Sequence, residues 1–171
     1  MALDLSYDAV FSLFLVTVCA NTVLIFGFET LFQEQQWLVV SLLSPWQFAA
    51  ITLVTNLAIS LGIAWIGPKF SGQGSFQAVM GLVAWFQVVK LGMQVVLTFT
   101  LILPFGFAIF VLLGTIGWSL WIFIAFFDEV HQFDNMLKSS LVALLGSAIG
   151  MFGLILIILL FVDLGGVGSG I

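Results

Sequence analysis

Two groups of residues in this sequence have the types and spacing that chemistry needs. The first lies in the stretch from Gln77 to Thr98, where Gln87, Lys90, Gln94 and Thr98 interrupt an otherwise apolar run. On a helix, steps of seven and four bring Gln87, Gln94 and Thr98 to one face, with Lys90 about 60° to the side. An ionisable group at mid-membrane depth costs about 3 kcal/mol or more on insertion scales. It must find a partner, lose its proton or reach the interface. With Asn56 of an earlier apolar run, these residues make a candidate intramembrane polar cluster: Asn56, Gln87, Lys90 and Gln94. One reading is a proton or solute path, or a contact to a carboxylate of a partner protein. The other is that the amides and Lys90 hold helices together by hydrogen bonding. No Asp or Glu lies inside an apolar run to complete a relay, which favours the second.

The second group is Asp128, Glu129, His131 and Asp134, in the most polar loop of the chain. One histidine among three carboxylates could hold a metal or move protons. There is no second histidine and no His-Glu-x-x-His pattern, so the loop reads better as a contact surface on the cytoplasmic side. Gly72-Gln-Gly74-Ser-Phe-Gln77 begins like a dinucleotide fingerprint, but Gln77 stands where the third glycine belongs and no parallel sheet precedes it. It reads as a turn, with Ser75 capping the next helix. No catalytic, cofactor-binding or metal-binding set is visible, and the chain is expected to be non-enzymatic.

The elements that must position these groups follow from composition. Of 171 residues, 63% are hydrophobic and 6% charged, and the mean hydropathy is +1.31. A soluble domain carries about 25% charged residues; so apolar a surface belongs in lipid. Three lysines and no arginine exclude a phosphate-binding basic patch, hence nucleic acid. The net charge of -5 also argues against an anchor to anionic lipid surfaces, which takes clustered cations. Cys19 is the sole cysteine and sits in an apolar run, so it reads as a small packing residue.

Crossing about 30 Å of hydrocarbon takes roughly 20 apolar residues. Five runs qualify, at about 9–28, 45–66, 76–103, 104–127 and 138–162. A short segment at about 35–43, bracketed by Trp37 and Trp46, is expected at the interface, and a glycine-rich tail occupies 164–171. The whole of 1–171 reads as one integral-membrane domain: an all-α polytopic bundle of five helices plus that interfacial segment. Ser44-Pro45 is a helix start and Gly67-Pro68 a stop. The third run, alone in holding a mid-membrane charge, is expected to be the central helix. Gly146, Gly150 and Gly153 share a face of the fifth run and mark a packing seam, within the bundle or to a partner. Lys69 and Lys138 fall on the same side as the N-terminus by parity, and the excess of cations there places that side in the cytoplasm.

The order of these features resembles the Yip domain family, in its bacterial branch. The resemblance rests on the Gly-x-Gly turn before the third run, Ala84-Trp85-x-Gln87 with a second Gln94, the proline break at Pro104, and Glu129-Val-His131-Gln-Phe133 before the fifth run. It covers roughly 44–162. It differs at Gln132, where bacterial relatives often have glycine, and in lacking their basic amphipathic N-terminal segment. The resemblance implies a five-helix membrane protein with a cytoplasmic N-terminus, here expected in the bacterial inner membrane. The leading functional expectation is a scaffold, assembly factor or accessory subunit, partnered by the bilayer and by another membrane protein or a second copy. The alternative is a small transporter or channel component that uses the Lys90 cluster.

Overall fold

A computed structural model of the chain describes residues 6–31, 43–100 and 105–166. The described residues are all helix and connecting turn. They form α1 (Tyr7–Leu31), α2 (Pro45–Ile66), a 3-10 turn (Gly67–Phe70), α3 (Phe76–Thr100), α4 (Phe105–His131) and α5 (Met136–Gly166). All five helices are long and apolar enough to cross a membrane. The shortest, α2 at 22 residues, is about 33 Å long at 1.5 Å per residue. The expected interfacial segment lies outside the described residues except for Leu43, as do Pro104 and the last five residues of the tail.

Local sequence explains the helix starts. Ser44 caps α2 in a reciprocal box: Gln47 N–H donates to Ser44 Oγ (3.3 Å) and Ser44 N–H donates to Gln47 Oε1 (2.9 Å), with Pro45 at the first position. Ser75 caps α3, its Oγ accepting from Ala78 N–H at 3.2 Å. Asn135 caps α5, its Oδ1 accepting from the N–H groups of Leu137 and Lys138, each at 3.0 Å. Within the spans, hydroxyls turn back on their own helix. Thr17 donates to Phe14 O, Thr22 to Val18 O, Ser60 to Asn56 O and Thr115 to Val111 O. These groups are satisfied without a partner helix, which removes the penalty of a bare hydroxyl in hydrocarbon.

Packing runs in a ring. Helix α2 touches α3, α3 touches α4, α4 touches α5, and α5 returns to α2, while α1 lies against α3 and α2. Helix α3 has the lowest mean hydropathy of the five spans, 1.6, and the largest buried share, 44%. Its polar face is therefore turned to protein, in keeping with a central position, which it shares with α2. At the opposite extreme is the apolar window of α4, none of which is buried.

The closest approach is α2 on α5. A Cβ added to Gly62 would stand 2.1 Å from Gly146 O; one on Gly150 would stand 2.2 Å from Ala58 O; one on Gly146 would stand 2.6 Å from Ile63 Cα. Only glycine lets two backbones meet this closely. The seam expected on the fifth run is thus internal at Gly146 and Gly150, and Gly62 is its counterpart. Gly153 has nothing within 4 Å of its added Cβ.

Two apolar clusters hold the bundle. One joins Ile63, Ile66, Val79, Leu82, Phe127, Phe133, Val142 and Ala143; the other joins Val10, Phe14 and Val18 to Met80, Val83 and Ala84. The first gathers the end where α2 and α4 finish and α3 and α5 begin.

Candidate functional site

At that end two connections dock through one side chain. The 3-10 turn closes with Gly72 N–H donating to Gly67 O (3.0 Å) and Ser71 in the left-handed region at φ 64°. Helix α4 does not stop at Phe127. It continues through Asp128, Glu129, Val130 and His131, because His131 has a buried place to fill. The connection to α5 shortens to residues 132–135, and Gln132 and Asp134 take φ of 54° and 52° to turn it. Left-handed residues of this kind are uncommon outside glycine and mark a constrained turn.

His131 is fully buried. Its ring stacks on Phe127 (centroids 4.2 Å apart, 26° between planes) and on Phe133 (5.3 Å, 16°). Nδ1 lies 3.3 Å from Phe127 O, and a carbonyl only accepts, so Nδ1 carries the hydrogen. Nε2 is then a bare acceptor, and it has no hydrogen-bond partner. Three glycines of the neighbouring connection close over the ring. An added Cβ would come within 2.5 Å of Nε2 at Gly67, 2.8 Å of Cδ2 at Gly72 and 2.8 Å of Nε2 at Gly74. Gln73 N–H donates to His131 O at 3.1 Å and completes the joint.

Asp128 braces the same joint from below. Its Oδ1 accepts from Asn135 N–H (3.2 Å) and from Ser139 Oγ. Phe133 N–H donates to Asp128 O at 3.4 Å. Lys138 Nζ sits 4.7 Å from the Phe133 ring centre, and Lys69 Nζ sits 3.0 Å from that of Trp65, so both lysines rest on aromatic faces.

The four polar residues of this loop therefore divide. Asp128 and His131 point into the joint, while Glu129 and Asp134 are exposed with Gln132 between them. Among the described residues, no three His, Cys, Asp or Glu side chains are placed to share a metal ion. Gly67, Gly72, Gly74 and Ser139 are the partners that reading the loop alone did not identify. The available signal was the pair of glycines at 72 and 74, in a connection that parity puts at the same end as His131.

The intramembrane cluster is placed as follows. Gln87 is buried, with its Oε1 unpartnered. Gln94 is half-buried. Asn56 is half-buried and spends its amide on its own helix, donating to Thr52 O at 2.8 Å. Lys90 is exposed.

No curated protein and no solved structure matches the chain. The model of the Yip1 domain matches residues 4–157, a stretch that takes in α1 to α4, both connections that meet at His131, and most of α5. A five-helix membrane protein whose matched region includes the whole His131 joint belongs to the Yip1 domain family.

Proposed function

We propose that this Yip1-domain protein is a non-enzymatic scaffold, assembly factor or accessory subunit of a membrane complex. It works as one integral-membrane unit in a bacterial inner membrane, with its N-terminus in the cytoplasm. The observation that carries the reading is the His131 joint. Its titratable ring is enclosed by two phenyl rings and three glycine backbones, so it is closed to substrate and spent on shape. What the joint leaves outward is a short, conformationally fixed acidic edge, Glu129, Gln132 and Asp134. A fixed edge suits recognition, because little conformational freedom is lost on binding. Lys69 and Lys138 flank the same end, and the positive-inside rule assigns it to the cytoplasm.

The test is purification in mild detergent of the intact chain and of the double variant Glu129→Lys, Asp134→Lys, with mass spectrometry of what accompanies each. A membrane protein that accompanies the first and is lost from the second supports the reading. A lone, monodisperse monomer in both counts against it.

A further inference from the structure

We propose that Lys90 and Gln87 form a binding site for the headgroup of an anionic glycerophospholipid, reached through a cleft in the half of the bundle remote from His131. The inference is independent of the scaffold role.

The orientation of Lys90 is the first observation. At about 100° per residue, the α3 positions that share its face are Val83, Phe86, Gln87, Met93, Gln94 and Leu97. All six are buried or half-buried, and Phe86 packs on Phe123 of α4 at 4.8 Å. The outward face of α3 is the opposite one, with Trp85, Gly92, Val96 and Phe99 exposed. Lys90 is thus directed into the ring of helices, yet it is exposed. An inward-facing residue is exposed only where the interior is open.

The distribution of buried residues shows where it opens. Among the described residues, the first buried on α2 is Ser60, only Phe127 and His131 are buried on α4, and none is buried on α5 after Gly150. All lie toward the His131 end. The remote halves of α4 and α5 carry no buried residue among those described, whereas on α2 the half-buried Ala49, Leu53 and Leu57 pack against the α1–α3 cluster, so the opening beside Lys90 lies on the α4 side.

Gln87 supplies the second polar group. It lies one turn from Lys90, at the i, i+3 spacing that puts two Cβ atoms about 5–6 Å apart. It is 3% exposed, and its Oε1 accepts nothing. A buried acceptor without a donor is costly and calls for one. The occupant must therefore bring an anion for the ammonium and a hydrogen-bond donor for the amide oxygen. It must also bring apolar chains for the open wall of α4. A phosphodiester with a hydroxylated headgroup and two acyl chains meets all three needs. Inorganic phosphate has the charge but no chains, and a choline headgroup has no donor.

Depth agrees. Lys90 lies 14 residues beyond Phe76, about 21 Å along a helix axis that crosses about 30 Å of hydrocarbon. It stands about 9 Å inside the remote boundary, within the combined reach of a lysine stem and a headgroup drawn inward.

The test uses the full chain in neutral detergent, titrated with dioctanoyl phosphatidylglycerol, dioctanoyl phosphatidylcholine or inorganic phosphate, and followed by thermal unfolding. Phosphatidylglycerol is expected to raise the Tm of the unmodified chain. Lys90→Met should raise the half-saturating concentration about tenfold or more, the effect of losing a charge-assisted hydrogen bond, while Lys90→Arg keeps the response. Gln87→Leu should reduce the phosphatidylglycerol response to that of phosphatidylcholine. Equal titrations for the unmodified chain and Lys90→Met overturn the site. Equal responses to inorganic phosphate and phosphatidylglycerol overturn the lipid as its occupant. Should Lys90→Met not fold, Gln87→Leu decides: an undiminished preference for phosphatidylglycerol overturns the proposal.

Discussion

Gly62 and Gly146 meet backbone to backbone where α2 crosses α5: a methyl group on Gly62 would lie 2.1 Å from the Gly146 carbonyl oxygen. Neither partner is the end of a flexible side chain, so neither can move aside cheaply. Gly62→Ala and Gly146→Ala are each expected to destabilise the fold by about 1–3 kcal/mol or more, the usual cost of overpacking. Gly153→Ala and Gly114→Ala, where nothing stands within 4 Å, should change stability by less than about 0.5 kcal/mol. Thermal unfolding of the four variants in one detergent checks the contrast.

His131→Ala removes the ring that fills the space between Phe127, Phe133 and three glycines. A loss of about 3 kcal/mol is expected, as for other large-to-small changes in packed sites. Gly74→Ala attacks the same contact from the other side, since its methyl group would press on Nε2 at 2.8 Å. Combined with His131→Ala, the glycine change should cost much less than it does alone. A double-mutant cycle read by thermal unfolding measures that coupling.

The brace beneath the joint separates into a cap and a side-chain bond. Asn135→Ala is expected to cost about 1 kcal/mol, because the first N–H groups of α5 lose their acceptor. Asp128→Ala strips the acceptor from Ser139 Oγ and from Asn135 N–H, and should cost about 1–3 kcal/mol. Ser139→Ala in the Asp128→Ala background should then add little.

Orientation can be read chemically. In a Cys19→Ala background, Ser71→Cys and Asp134→Cys place thiols at two exposed positions of one end. Both should react with a membrane-impermeant maleimide from the same side only. The assignment of that end to the cytoplasm predicts labelling in inside-out vesicles and protection in intact cells.

The helices were legible because the bilayer fixes their length. A run of about 20 apolar residues leaves one solution for its backbone polar groups, and Ser44-Pro45 and Ser75 announced two of the starts. The glycine face of the last helix was legible as a seam. Its counterpart Gly62 was not, since a lone glycine in an apolar run has no periodicity of its own. His131 was misleading for a physical reason. Local composition around it matches that of a solvated loop, and α4 was expected to end at Phe127. Burial of the ring depends on glycines about sixty residues earlier, a long-range fit that no local pattern encodes. Likewise, the identities of Gln87 and Lys90 singled them out, but the openness around Lys90 is a property of four helices together.

Burial in this bundle is lopsided, and the two leaflets of the bilayer therefore act on different mechanical objects. The leaflet beside His131 surrounds a stiff node, where α2 to α5 are fastened by stacked rings, glycine crossings and capped turns. The other leaflet surrounds the halves of α2, α4 and α5 in which none of the described residues is buried. Local opening should then start in the remote leaflet at low free energy, while the node holds nearly to global unfolding. A change of lipid confined to one leaflet will not be felt symmetrically: on the remote side it moves levers, and on the near side it meets their common fulcrum.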